Sequence, residues 1–251
     1  MGLSAWKQAG ASRWPLRVNP SSGNLHPTET YVVWNGRVCH YAVREHALEE
    51  RALTPSHPHT VAQPESSVLV GLTSIYWREA WKYGERAFRY CQHDTGHAIG
   101  ALRLSAAMMG WRLALLPRWS DEDMASVLGV GRDEDFEGAE REDPECIAVV
   151  TAGDPVPFLD ADPAPWVEAA RHAAWQGRAN RVSPDHVDWP LVDEVAAATR
   201  YLFDGAMVRG STGPHPRTLA PSHPRTTECP VHDLAASQRH GVRPGCAAAL
   251  P

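Results

Sequence analysis

Two short stretches of this chain hold residues whose types and spacing suit chemistry. The first runs Arg17-Val18-Asn19-Pro20-Ser21-Ser22-Gly23-Asn24-Leu25-His26-Pro27-Thr28-Glu29. Its small residues let backbone amides approach a polar ligand closely. Ser21, Ser22 and Asn24 add short donors and acceptors, and Arg17 adds a positive charge. The same composition also suits a plain surface turn ahead of a strand. The second stretch is Trp81-Lys82-Tyr83-Gly84-Glu85-Arg86-Ala87-Phe88-Arg89-Tyr90. A partly desolvated lysine can act as a base, and a tyrosine beside it can relay or donate a proton. A lysine on a solvated helix face would read the same way. Arg86 and Arg89 suit either phosphate ligation or surface ion pairs.

Other constellations carry less. His93-Asp94-Thr95-Gly96-His97 sets two histidines at i and i+4, on one helix face, and resembles a zinc-binding H-E-x-x-H with Asp94 in place of glutamate. No third ligand is evident, and a metallohydrolase stays a minor alternative. The plainer reading leaves His93 in solvent and His97 hydrogen-bonded in a core. Cys229, His232, His240 and Cys246 fit no common zinc spacing. No metal site is therefore expected. Gly129-Val130-Gly131 follows a helix and lacks the third glycine of a dinucleotide fingerprint, and no Gly-x-Ser-x-Gly is present for acyl transfer.

The elements that must position these groups are few strands and several helices. Residues 3–9 read as the end of a helix stopped by Gly10, and 13–28 as loop. Residues 29–34 and 37–43 read as a hairpin around Asn35-Gly36, the strongest short hairpin signal. A short helix is expected over 45–53, a loop over 54–64 and a buried strand over 67–75. A helical region follows from 76 to 92. A second helix is expected to start at the N-cap types Asp94 or Thr95 and run to Met109. Apolar nearly all round, it reads as buried, with Gly96 and Gly100 allowing close approach of another backbone. Strands at 111–116 and 145–153, a helix capped by Ser120 and stopped by Gly129, and helices over 163–176 and 189–203 complete the pattern. Strands do not alternate regularly with helices, which favours α+β. Residues 206–251 lose apolar periodicity and read as an irregular or mobile extension of a 1–205 domain.

Composition bounds the function. The 251 residues, 43% hydrophobic and 22% charged, allow one sizeable core. A net charge of −6 without a long basic run argues against a nucleic-acid partner. Ten tryptophans suit a core or a cofactor pocket. Five cysteines without a CxxC point to reduced thiols. No signal peptide and no apolar run of about 18 residues is seen, so a cytoplasmic chain outside the membrane is expected.

Pro20-Ser21-Ser22-Gly23-Asn24-Leu25-His26-Pro27 resembles the Pro-Ser-x-x-Asn-x-Gln-Pro flavin-binding loop of the nitroreductase-like flavoproteins, with His26 where many members carry glutamine. Glu29-Thr30-Tyr31 after it, His40-Tyr41 leading on to Glu49, Lys82-Tyr83 with Arg86-Ala87, and Gly96-His97 resemble the SagB-type dehydrogenases within that superfamily. The resemblance covers roughly residues 3–153. It implies an α+β nitroreductase-like fold and an FMN-dependent oxidoreductase moving a hydride between flavin N5 and a small-molecule or azoline-bearing peptide substrate. It further implies FMN held by Arg17, Pro20, Ser21, Ser22, Gly23, Asn24 and His26, Lys82 and Tyr83 as the proton-handling pair, and a homodimer with flavin at the interface. Family members carry phosphate-binding arginines on an N-terminal helix. Nothing before Leu3 matches them, so the chain is expected to begin inside the domain, to use Arg13 or Arg17 instead, or to have weakened flavin binding. In the last case it would be an inert, flavin-free relative serving as a partner or scaffold.

Overall fold

A computed structural model of the chain describes residues 2–54, 67–184 and 187–203. The first two strands, β1 (Leu3–Ala9) and β2 (Ser12–Arg17), form an antiparallel ribbon of their own. The expected helix end over 3–9 is therefore a strand, and part of the expected loop is strand too. Gly10 is the reason: it adopts φ +58° at the first position of a two-residue turn, with Ala9 opposite Ser12. That is hairpin geometry rather than a helix stop. Pro15, which cannot donate to a ladder, is tolerated because the ribbon has only two strands.

Seven further strands make one sheet. They are β3 (Thr28–Trp34), β4 (Arg37–Ala42), β5 (Ala47–Leu53), β6 (Ser67–Ser74), β7 (Arg112–Leu115), β8 (Asp143–Thr151) and β9 (Ala174–Trp175), in the order β7-β8-β6-β3-β4-β5-β9. Every pairing among them is antiparallel. The β3–β4 turn at Asn35-Gly36 has positive φ at both residues, as its sequence predicts. The helix expected over 45–53 is instead β5. Its Ala, Leu and Glu favour helix locally, but cross-strand partners override that preference: Glu49 bonds His40 at 2.9 Å, and Glu50 pairs with Arg37.

The helices are α1 (Trp77–Tyr83), α2 (Ala87–Met108), α3 (Asp121–Leu128), α4 (Val156–Leu159), α5 (Ala164–Arg171) and α6 (Pro190–Ala198). Alternation along the central strands sends side chains to two faces. Leu69, Ile147 and Val149 join Tyr31, Val33, Met124, Val127, Leu128 and Trp166 in the main core under α3 and α5. Leu72 and Cys146 turn the other way and pack against Ala98, Ile99 and Leu102 of α2. Covered on both faces, β6 and β8 can be continuously apolar. Helix α3 starts with a Ser120–Asp123 capping box and ends at left-handed Gly129, as expected.

Helix α2 departs from expectation twice. It begins at Ala87, so Asp94 and Thr95 lie inside it and cap nothing. Nor is its C-terminal half buried: Leu104, Met108 and Met109 are 70%, 86% and 76% exposed, and a Cβ on Gly96 or Gly100 would meet nothing within 4 Å. Only Ala87, Cys91, Asp94, Thr95, Ala98 and Ala106 of this helix are buried. Cys39, Cys91 and Cys146 are free thiols. Among the described residues no helix is long and apolar enough to cross a membrane. The loop expected at 54–64, the extension at 206–251 and the cysteine–histidine group at 229–246 fall wholly or almost wholly outside the described residues.

Candidate active site

The loop Pro20–Pro27 leaves β2 and enters β3 through a single 3-10 turn, Ser22–Asn24. What shapes it is a residue some seventy positions away. Asp94, 0% exposed in the middle of α2, accepts hydrogen bonds from Ser21 Oγ at 2.5 Å, Ser22 N at 2.9 Å and Ser22 Oγ at 3.1 Å. Ser21 Oγ in turn accepts from His26 N at 2.8 Å and closes the loop on itself. A buried carboxylate must find donors, and here the loop supplies them. The sequence reading missed Asp94. The available signal was an acid in the inward stripe of an otherwise apolar helix, which requires a polar partner.

At the loop's tip the two sequence motifs meet. Gly23 adopts φ +59°, and a Cβ placed there would lie 2.6 Å from Tyr83 Oη and 2.7 Å from Lys82 Nζ. The proton-handling pair expected from α1 thus sits against the Pro-Ser loop, so close that a side chain at 23 would have to displace it. Tyr83 is steadied by Tyr90, ring centroids 4.5 Å apart. A Gly23→Ala protein should lose about 1–3 kcal/mol of stability, because alanine is strained at φ +59° and its Cβ displaces Lys82 and Tyr83. Thermal denaturation followed by circular dichroism checks this.

Charge is concentrated beside the loop. Glu29 is paired with Arg78 and accepts from His40 Nε2 at 2.9 Å, while Arg78 Nη1 also bonds the His26 carbonyl at 2.9 Å. Burial opposes ionisation of Glu29, but Arg78, His40 and Arg17 outweigh it and hold its carboxyl well below the usual carboxylate range. Burial likewise works against charge on His40, yet its bonds to Glu29 and Glu49 raise its pKa. Burial pushes the Arg17 guanidinium down, opposed by Glu29. Arg17 Nη1 is buried with no hydrogen-bond partner among the described residues. Burial and the neighbouring Arg17 lower His26 to about 4, so its ring is neutral near pH 7. Nε2 lies 3.1 Å from Asn24 Oδ1 and must donate to it, which leaves Nδ1 a buried acceptor without a partner.

All the sequence-predicted site residues therefore fall on one loop or on the helix end that touches it. Arg17 stands at the root of the loop, and Ser21, Ser22, Gly23, Asn24 and His26 form it. Pro20 precedes the serines, and Lys82 and Tyr83 approach from α1. Two clefts of about 390 and 560 Å³ occur elsewhere and include none of these residues. His93 and His97 do not form a metal centre: both are exposed, Asp94 is engaged by the serines, and the described residues contain no group of three potential ligands. His97 is thus a surface histidine, not the core one expected.

Comparison with known proteins agrees with this fold. The Nitroreductase family model matches residues 7–139, more than half of the chain, and the chain belongs to the Nitroreductase family. It is thus of an oxidoreductase family. Among solved structures it is similar to a nitroreductase-like protein of Anabaena variabilis, with 24% identity and a TM-score of 0.55 over 80% of this chain and 41% of that one. The chain thus spans about two fifths of that protein's length. Weaker likenesses are to the E. coli microcin synthetase McbBCD complex with truncated pro-MccB17 bound and to a nitroreductase-like protein of Ralstonia eutropha. The first has 18% identity, a TM-score of 0.46, and covers 61% of this chain and 60% of that one. The second has 15%, 0.42, 55% and 63%. No curated protein matches the chain.

Proposed function

We propose that this chain is an FMN-dependent oxidoreductase of the SagB-type dehydrogenase kind, with residues 1–205 as its flavin domain. The observation that carries the reading is the convergence of Lys82 Nζ and Tyr83 Oη on Gly23 of the Pro-Ser loop. The residues present fit the cofactor. Arg17 brings a buried guanidinium nitrogen without a partner, suited to a phosphate, and His26 brings an orphaned acceptor, suited to an imide N–H. Ser22, Gly23 and Asn24 offer a polar, close-approach edge. Bound there, FMN would supply hydride transfer.

The chain's own residues do the rest. Arg17 and the loop bind and orient, Asp94 fixes the loop's shape, and Lys82 and Tyr83 hold or move a proton at Nζ and Oη. The substrate fits the class of small molecules or azoline-bearing peptides. Free thiols at Cys39, Cys91 and Cys146 are in keeping with a cytoplasmic setting.

The test is the visible absorption spectrum of the purified protein before and after incubation with excess FMN and desalting. Retained flavin bands support the reading. A protein that stays colourless overturns it in favour of an inert, flavin-free relative. In the loaded enzyme, Lys82→Ala should slow turnover by about 100-fold or more. Turnover equal to the parent's would remove Lys82 from the mechanism.

The exposed Leu104, Met108 and Met109 beside Gly96 and Gly100 support a homodimer built on α2. Leu104→Glu should then shift the protein from dimer to monomer in sedimentation velocity, and an unchanged mass would argue against this face.

A further inference from the structure

Glu79 lies three residues before Lys82 and four before Tyr83, so the three share one face of α1. It is 0% exposed, and neither carboxyl oxygen has a hydrogen-bond partner among the described residues. The charged and titratable groups facing it are Lys82 from its own helix and Asp94 and Cys91 from α2. Two neighbouring carboxyl groups ionise together only at high cost, and their surroundings decide which keeps the proton. Asp94 receives three donors from Ser21 and Ser22, whereas Glu79 receives none. The proton therefore belongs to Glu79. Burial pushes its carboxyl up to about 8, with Asp94 adding to the effect and Lys82 opposing it. Burial also pushes the Cys91 thiol up, so it stays protonated beside Glu79.

Resting on the reading of Lys82 and Tyr83 as the proton-handling pair, we propose that Glu79 is the buried proton store behind that pair, exchanging one proton with Lys82 through a bridging water rather than by direct contact. The exchange interconverts carboxylic acid plus amine and carboxylate plus ammonium. One proton moves, no electron moves, and no bond to carbon changes. When Lys82 gives a proton to substrate, Glu79 replaces it and is left as the carboxylate. Water resets the store between turnovers. Glu79 acts through Lys82 and is a positioning residue.

Nitrogen NMR of the full chain with labelled lysine side chains tests this without flavin. The Lys82 signal, assigned by its loss in Lys82→Arg, is followed from about pH 6 to about pH 10. The parent should show an added inflection near pH 8 that Glu79→Gln abolishes and Glu79→Asp restores. In parallel, the infrared band of a buried protonated carboxyl should vanish from Glu79→Gln. In FMN-loaded protein, the rate–pH profile of Glu79→Gln should lose its limb near pH 8, with KM little changed. A Lys82 signal identical in parent and Glu79→Gln overturns the proposal, whatever FMN does. An inflection with FMN retained but an unchanged rate profile also overturns it. An inflection in a protein that holds no FMN leaves the exchange standing and removes the oxidoreductase reading instead.

Discussion

Replacing Asp94 by alanine should cost the protein about 3–4 kcal/mol and with it the ordered Pro-Ser loop. Three hydrogen bonds from Ser21 and Ser22 end on this carboxyl, which is wholly buried. Bonds to a charged acceptor contribute about 1.5–3 kcal/mol each, and donors left buried add a penalty. In a chain of this size the loss corresponds to roughly 6–15 °C in Tm. The effect should not be confined to stability. With its anchor gone, Ser21 no longer holds the His26 amide by necessity, and on the proposed function FMN retention should fall by more than about tenfold. Asp94→Asn, which keeps shape but presents one oxygen, should fall between parent and alanine variant. Thermal denaturation together with FMN titration checks both effects. A variant with unchanged Tm would mean the loop is held by its own turn alone.

Glu79→Gln should make the protein more stable, and more so as pH rises. The folded carboxyl titrates near 8 and the unfolded one near its ordinary value of 4.5. Between those values the folded chain holds a proton that the unfolded chain has released. Raising pH therefore favours unfolding across that window, and no further loss from this group follows above it. A shift of this size corresponds to at most about 5 kcal/mol. Relaxation around the charged form brings the expected gain at pH 8.5 nearer to about 2–3 kcal/mol, or roughly 4–10 °C in Tm. At pH 4.5 parent and variant should nearly coincide. Glu145, Glu142 and Asp143 are also raised and add slope of the same sign to both proteins. The difference between the two melting curves isolates Glu79, and parallel curves would show that it is not held protonated.

Local chemistry explains what could be read in advance. Asn35-Gly36 admits one turn, Ser120 and Gly129 mark one helix, and the apolar runs of β6 and β8 need cover on both faces. Those elements are legible because each is specified within a few residues. The ribbon β1–β2 and strand β5 were misread because their residues favour helix or loop in isolation. The partners that overrule them, Arg37 and His40 for β5, stand on another strand. The site divides the same way. Its loop and its Lys82-Tyr83 pair are contiguous motifs and could be found. Asp94 and Glu79 stand in no motif: Asp94 meets its serines some seventy residues away, and Glu79, although only three residues before Lys82, is marked by a burial that the fold alone gives it. Asp94 was even read as a helix start, since its type suits a cap and only the fold shows it inside the rod.

That rod has a consequence of its own. Helix α2 is one uninterrupted lever of 22 residues, about 33 Å long. From its N-terminal half it grips the loop through Asp94, and at its C-terminal end it presents Leu104 and Met108 to solvent. Whatever seats itself on the far end and whatever ligand occupies the loop then share one rigid body. If the first tightens the second by some factor, the second must tighten the first by the same factor. Self-association measured with and without flavin would therefore report on the loop from 20 Å or so away, without any probe placed near it.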